Sequence, residues 1–282
     1  MKASITGASG FVGKSLSKML EKLGYEIVSL DAKDCASIEV LTQKIANSDV
    51  IINLAGAPII KRWSEDYKKV LRSSRIETTK RLVEAISRQE VKPKFMFSTS
   101  AVGYYESNIE FDEDGKNGND FLATLCKDWE SSALEATRYG VRVCIGRFGI
   151  VLGKNGGALS QMLPIFKLGF GGVIASGKQP MSYIQLDDLI SAILFLINNE
   201  NLDGTFNFTT PNVVTNYEFT KTLGSILNRP TLFPVPEFAL KILYSEGAKV
   251  LTDGQIALPK KLPDSGFKFN YPTLKQALLA SV

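Results

Sequence analysis

The sequence predicts an α/β fold: a doubly wound parallel sheet with a small C-terminal α/β lobe. Three observations lead there. The chain opens on a short apolar run, a glycine-spaced turn and a helical repeat. Apolar runs of the fully buried kind then alternate with helical patterns as far as residue 153. Beyond that the pattern loosens into a glycine-rich, less regular stretch. Alternation of strand and helix implies parallel strands with helices on both faces.

Ala3, Ser4 and Ile5 read as a short central strand, and Thr6-Gly7-Ala8-Ser9-Gly10-Phe11-Val12-Gly13 follows at once. Val12, Leu16, Met19, Leu20 and Leu23 then recur at helical spacing, with Gly24 as the stop. Gly7 allows a tight turn, Gly10 lets backbone approach a pyrophosphate, and Gly13 lets helix and strand pack closely. The free amides and positive end of the helix would face the phosphates. The spacing G-x-x-G-x-x-G differs from the commoner G-x-G-x-x-G, and the alternative is a structural turn without ligand.

The second strand, Glu26–Leu30, ends in Asp31, 18 residues after Gly13. An acid near that spacing accepts hydrogen bonds from ribose hydroxyls and favours NAD over NADP. Lys33 offers the opposite reading, since it could neutralise a 2′-phosphate, and a solvated loop acid is a third. Ser37–Ile45 reads as a short helix and Val50–Ile52 as a central strand ending in Asn53-Leu54-Ala55-Gly56. Residues 64–89 form a long helical pattern whose Val70, Ile76, Leu82, Val83 and Ile86 can pack on the sheet. Phe95–Ser100 is the next strand, running into Ala101-Val102-Gly103-Tyr104-Tyr105. The acidic stretch 107–120 reads as a loop on the site's side, with Asp112, Glu113 and Asp114 solvated. Phe121–Arg138 is a helix with Trp129 and Leu134 inward, and Val141–Ile145 another buried strand.

In the later part, Met181–Gln185 is strand-like and Asp187 or Asp188 caps a helix over Leu189–Asn198. Thr205–Phe208 reads as a strand. Thr215 and Glu218 fit a capping box opening a helix to Leu227. Phe238–Leu251 and Thr273–Ala280 are helical. Residues 1–155 are therefore expected to form a dinucleotide-binding domain and 156–282 a smaller substrate lobe, with about 181–215 returning to the first domain.

Composition narrows the function. At 282 residues with 44% hydrophobic content, the chain can bury a large core. The net charge is +4 and no Lys/Arg run stands out, so nucleic acid is not an expected partner. No apolar stretch is long enough to span a bilayer, and the start runs straight into a strand, so no signal peptide is expected. Three scattered cysteines argue for reduced thiols in a cytoplasmic protein. Histidine is absent, which removes the commonest general base, and no metal site is expected.

Taken together, these pieces resemble the short-chain dehydrogenase/reductase superfamily in its extended, atypical branch. The glycine turn, Asn53–Gly56, and Ser98-Thr99-Ser100 before Val102-Gly103-Tyr104 carry the likeness. Trp63 with Ser74-Arg75-Ile76, Phe121-Leu122-Ala123 with Trp129-Glu130, Arg147–Gly153, Gly156–Leu159 and the tail Pro259–Leu262 with Gly266–Phe269 narrow it. They resemble epimerase-family proteins related to nucleoside-diphosphate-sugar epimerases. The resemblance implies a Rossmann-type domain, binding of NAD or NADP and a small-molecule substrate, and it admits a homodimer. Gly7, Ser9, Gly10, Phe11, Val12 and Gly13 should line the pyrophosphate and Asp31 should reach the ribose. Leu54, Ala55 and Gly56 should pass the cofactor's middle. Ser98, Ser100, Phe148, Gly149 and Ile150 should lie near the nicotinamide. Arg75 either meets a cofactor phosphate or is a solvated helix residue.

The superfamily's Tyr-x-x-x-Lys pair, however, aligns with Leu122 and Cys126, which supply neither proton nor cation. Members of the subgroup share this loss. Tyr183 and Gln185 replace its usual tryptophan and histidine. Replacement candidates are Tyr104 and Tyr105 as acid/base, Ser100 as a hydrogen bond to substrate, and Lys127 as a relocated cation. Packing, a strand-end hydroxyl bonded to backbone, and a solvated lysine are the respective alternatives. Arg147 and Gln185 could touch a polar substrate. The expected activity is an oxidoreductase or epimerase acting on a small polar or sugar-like molecule; the alternative is a dinucleotide-binding sensor without turnover.

Overall fold

The computed structural model describes residues 1–282. The first half contains β1 (Lys2–Thr6), α1 (Phe11–Lys22), β2 (Glu26–Leu30), α2 (Ile38–Lys44), β3 (Val50–Asn53), α3 (Glu65–Arg72), α4 (Thr78–Ser87) and β4 (Phe95–Ala101). Next come β5 (Glu110–Phe111), α5 (Phe121–Leu134), β6 (Arg142–Phe148), β7 (Ile150–Leu152) and α6 (Gly157–Lys167). The later part has β8 (Pro180–Met181), β9 (Tyr183–Gln185), α7 (Leu186–Asn198), β10 (Gly204–Phe208), β11 (Val214–Thr215) and α8 (Asn216–Leu227). The chain ends with α9 (Glu237–Tyr244), α10 (Lys249–Thr252), β12 (Ile256–Ala257), α11 (Lys261–Asp264) and α12 (Leu274–Ser281).

Six strands form one sheet in the order β10-β6-β4-β3-β1-β2, and every neighbouring pair is parallel. The two-residue period of a strand explains why both faces are covered. Ile5, Val50, Ile52, Phe95 and Phe97 share one core with Leu16 and Leu20 of α1 and Leu189 and Ile193 of α7. The residues between them in the strands, Ile51 and Met96, point the other way and join Leu41, Leu82, Ile86 and Ala133 of α2, α4 and α5. The chain leaves β1 for β2 on one side and returns to β3 on the other. That reversal opens a crevice at the carboxyl ends of β1 and β3, beside Thr6 and Asn53.

The remaining strands are two-residue or three-residue pieces that pair as β7–β9, β8–β11 and β5–β12. A third core under them joins Leu152, Leu159, Phe219, Leu223 and Leu278. Asp188, fully buried on α7, ties down the C-terminal tail. Its Oδ1 accepts from Asn270 N and Nδ2 at 2.8 and 3.0 Å, and its Oδ2 from Tyr271 N at 2.9 Å.

Several boundaries differ from the sequence reading. The long helical pattern at 64–89 is two helices joined by a π turn over Ser73–Glu77, which shifts the apolar face so that Leu71 is buried and Val70 exposed. α5 stops at Leu134, which is 40% exposed, and a 3-10 turn continues to Tyr139. α7 starts at Leu186, not Leu189: Gln185 is its cap, its side-chain oxygen accepting from Asp187 and Asp188 N–H. Those two acids sit inside the first turn, where the helix dipole favours them. α9 ends at Tyr244 because Ser245 takes φ +54°, so the helix does not run on to Leu251. The capping box of Thr215 and Glu218 is present at the start of α8.

Candidate functional site

The glycine turn is built by clearance. Gly7 has φ +69°, a left-handed backbone that favours glycine, and a Cβ there would lie 2.8 Å from Leu54 O. A Cβ on Gly13 would sit 2.2 Å from Gly7 O, so helix α1 can approach β1 only with hydrogen at that position. Gly10 is the N-cap of α1 and offers no side-chain cap, and no acid lies in the first turn. The first-turn amides and the positive end of the helix are thus left for a ligand. Phe11 closes the far side: its ring fills the space that Cβ atoms on Gly153, Gly156 and Gly157 would need.

A buried hydroxyl–amide network fixes the crevice edge. The Thr6 hydroxyl donates to Asn53 Oδ1 at 2.7 Å and accepts the amides of Leu54 and Ala55 at 3.1 and 3.2 Å. Asn53 Nδ2 donates to Thr79 Oγ1 at 2.8 Å and Ser98 Oγ at 3.2 Å, and Trp129 Nε1 reaches Thr79 Oγ1 at 3.0 Å. Trp129 is core, as its spacing suggested. Leu54, Ala55 and Gly56 are thereby held beside Gly7. Asn53 is marked by its place at a strand end; Thr6 opens the glycine motif, but nothing in the sequence gives its hydroxyl this bridging role.

Asp31 stands exposed at the end of β2. Its Oδ1 accepts the amides of Lys33 and Asp34 at 2.8 and 2.9 Å. Lys33 is exposed beside it.

At the other end of the edge lies a second polar cluster, fully buried. Arg147 on β6 and Glu130 on α5 form a two-pronged ion pair: Nε to Oε1 at 2.8 Å and Nη2 to Oε2 at 2.8 Å. The Ser100 hydroxyl donates to Glu130 Oε1 at 2.6 Å. Arg147 Nη1 donates to the Tyr105 hydroxyl at 2.7 Å, which donates to Asn207 Oδ1 at 2.8 Å. Burial pushes the Tyr105 hydroxyl up to about 12, against the pull of the Arg147 charge. The guanidinium also stacks on the Tyr104 ring, 3.5 Å from its centre. The Tyr104 ring is half-buried, and its hydroxyl has no hydrogen-bond partner in the protein.

Other sequence-chosen residues fall as follows. Ser98 and Ser100 lie on β4, with Ser98 bound to Asn53 and Ser100 to Glu130. Phe148, Gly149 and Ile150 pass from β6 to β7, and a Cβ on Gly149 would meet Ser182 O at 2.5 Å. Arg75 is packed against Gly56 and over Trp129. Leu122 and Cys126 sit one turn apart on α5; burial raises the Cys126 thiol to about 12. Lys127 is exposed on the outer side of that helix and is not brought to the cluster. Gln185 is 2% exposed and spends its oxygen on the α7 cap, which removes it as a substrate contact. Arg147 is likewise committed inside the protein. Glu113, expected in solvent, is 5% exposed: its carboxylate accepts the amides of Asn207, Lys260 and Lys261 at 3.0–3.3 Å.

The bare turn, the uncapped amides and the clearance at Gly7 and Gly13 fit a dinucleotide diphosphate. Comparison with known proteins agrees. Residues 3–208 match the NAD dependent epimerase/dehydratase family, and residues 235–280 match a domain of unknown function, DUF1731. The chain is similar to the chloroplastic epimerase family protein SDR39U1 homolog of Arabidopsis thaliana, 40% identical over 99% of this chain and 86% of that one. It is 37% identical to an epimerase family protein of Mycobacterium leprae over 98% of this chain and 94% of that one. The solved structure of human epimerase family protein SDR39U1 with NADPH superposes with TM-score 0.90 at 30% identity, covering 99% of this chain and 98% of that chain. The chain therefore belongs to the NAD dependent epimerase/dehydratase family.

Proposed function

We propose that the chain works as an oxidoreductase or epimerase on a small polar or sugar-like substrate, without the tyrosine–lysine proton relay of its superfamily. The observation that carries this reading is the α1 turn, cleared by Gly7, Gly10 and Gly13 and without a side-chain cap, beside the crevice at Thr6 and Asn53. A nicotinamide dinucleotide, when bound, supplies hydride exchange. Gly7, Ser9, Gly10, Phe11, Val12 and Gly13 would hold its diphosphate through backbone. Leu54, Ala55 and Gly56 would flank its middle, and Ser98 and Phe148–Ile150 would wall the nicotinamide end. Asp31 would take the adenosine ribose hydroxyls, which favours NAD. Lys33 and the NADPH of the human relative support the rival, NADP.

Tyr104 would then be the proton donor. Its hydroxyl is free, while those of Ser100 and Tyr105 are spent on Glu130, Arg147 and Asn207. The Arg147 guanidinium stacked on its ring, 3.5 Å from the ring centre, holds the phenol in place. The same commitments favour a second reading, a sensor that binds dinucleotide and does not turn over.

The test is a fluorescence titration with NADH and NADPH followed by a turnover screen with sugar nucleotides, quinones and aldehydes. The enzyme reading expects turnover that falls about 100-fold in Tyr104→Phe with dinucleotide affinity unchanged. Binding with no turnover on any substrate supports the sensor. Failure to take up either dinucleotide ends both readings.

A further inference from the structure

One cation at the sheet edge has no counter-ion. Arg75 projects from the π turn between α3 and α4, a helical irregularity that recurs at functional sites. Its guanidinium donates only to neutral oxygens: Ala57 O at 2.9 Å, Leu71 O at 3.4 Å and Ser74 Oγ at 3.5 Å. Arg72, three residues earlier, pairs with Asp128 at 2.7 Å, and Arg147 with Glu130 at 2.8 Å, whereas Arg75 has no carboxylate within 4.0 Å. It lies 5.3 Å from the Trp129 ring centre, and a Cβ on Gly56 would come within 3.1 Å of its central carbon. Burial works against its charge, and a guanidinium keeps its proton nonetheless. On the helix packed beside it, the neighbouring titratable group is the neutral thiol of Cys126. An uncompensated cation in a half-buried site is costly unless a ligand's charge answers it.

We propose that Arg75 makes the site favour the reduced dinucleotide over the oxidised one. This rests on the dinucleotide reading above. The two redox forms carry the same phosphates and differ by one positive charge, which the oxidised nicotinamide ring has and the reduced ring lacks. A fixed cation against the Gly56 loop attracts the phosphates of both forms equally and repels only the oxidised ring. At an effective dielectric between those of protein and water, a repulsion of about 1.4 kcal/mol amounts to about tenfold in the ratio of dissociation constants.

Titration calorimetry of the full chain with NADH, NAD⁺, NADPH and NADP⁺ reads the ratio directly. Arg75→Met should lower the oxidised-to-reduced Kd ratio about tenfold, and Arg75→Lys should restore it. Thermal unfolding without ligand checks that the variants fold. If Arg75→Met does not, Arg75→Gln, which keeps a donor for the Ala57 carbonyl, carries the same test. Equal weakening of both forms would make Arg75 a phosphate contact and overturn the proposal, as would unchanged constants. Wild-type protein that takes up none of the four would instead remove the dinucleotide reading itself.

Discussion

Around Gly7–Gly13 the carboxyl edge of the sheet is cleared by glycine at three positions, and no side chain caps the amides at the head of α1. At the β4 and β6 end of the same edge, Ser100, Tyr105, Glu130, Arg147 and Asn207 satisfy one another in a buried network. The first region is shaped by missing side chains and is open to a ligand. The second is shaped by side chains and is closed upon itself. The difference is one of commitment: Ser100, bonded to Glu130, is part of the scaffold, whereas the first-turn amides of α1 are not taken by any side-chain cap. The one hydroxyl of Tyr104 and Tyr105 that the network leaves free is that of Tyr104, the proton donor of the function proposed above.

Three substitutions test the contrast. Glu130→Ala strands the Arg147 guanidinium and the Ser100 hydroxyl in the interior. A loss of about 3–5 kcal/mol is expected in urea denaturation, partly recovered by adding Arg147→Met. A loss below about 1 kcal/mol would mean that the cluster does not brace the fold. Gly13→Ala drives a Cβ toward Gly7 O and should cost about 1–3 kcal/mol while abolishing dinucleotide uptake in titration. Normal uptake would move the diphosphate away from this turn. Asp31→Ala has the smallest expected effect: stability unchanged, NAD affinity reduced several-fold through loss of about 1 kcal/mol, and discrimination against NADP relaxed. Equal affinities before and after would sink the ribose assignment.

The glycine turn and the six parallel strands were legible because their signals are local. A strand buried on both faces reads as an apolar run, and a tight turn reads as glycine. The π turn at Ser73–Glu77 was not, since no proline or glycine marks it and the helical pattern continues on both sides. Nor was the Glu130–Arg147 pair, whose partners come from a helix and a strand with nothing in the sequence to link them. Glu113 was misjudged for the same reason. Its loop is acidic and polar, but the amides that receive its carboxylate come from Asn207, Lys260 and Lys261, far down the chain. Gln185 escaped notice as a cap because glutamine is an uncommon one.

Glu113 and Asp188 also decide how the polypeptide can be divided. Each is held by amides from the final segment, Lys260 and Lys261 in one case and Asn270 and Tyr271 in the other. Peeling that segment away would strand two carboxylates inside the protein. The stretch matched separately at 235–280 is therefore tied by buried hydrogen bonds to Glu113 and Asp188 in the part matched at 3–208. A cut ahead of that segment would leave both carboxylates buried without the amides it supplies.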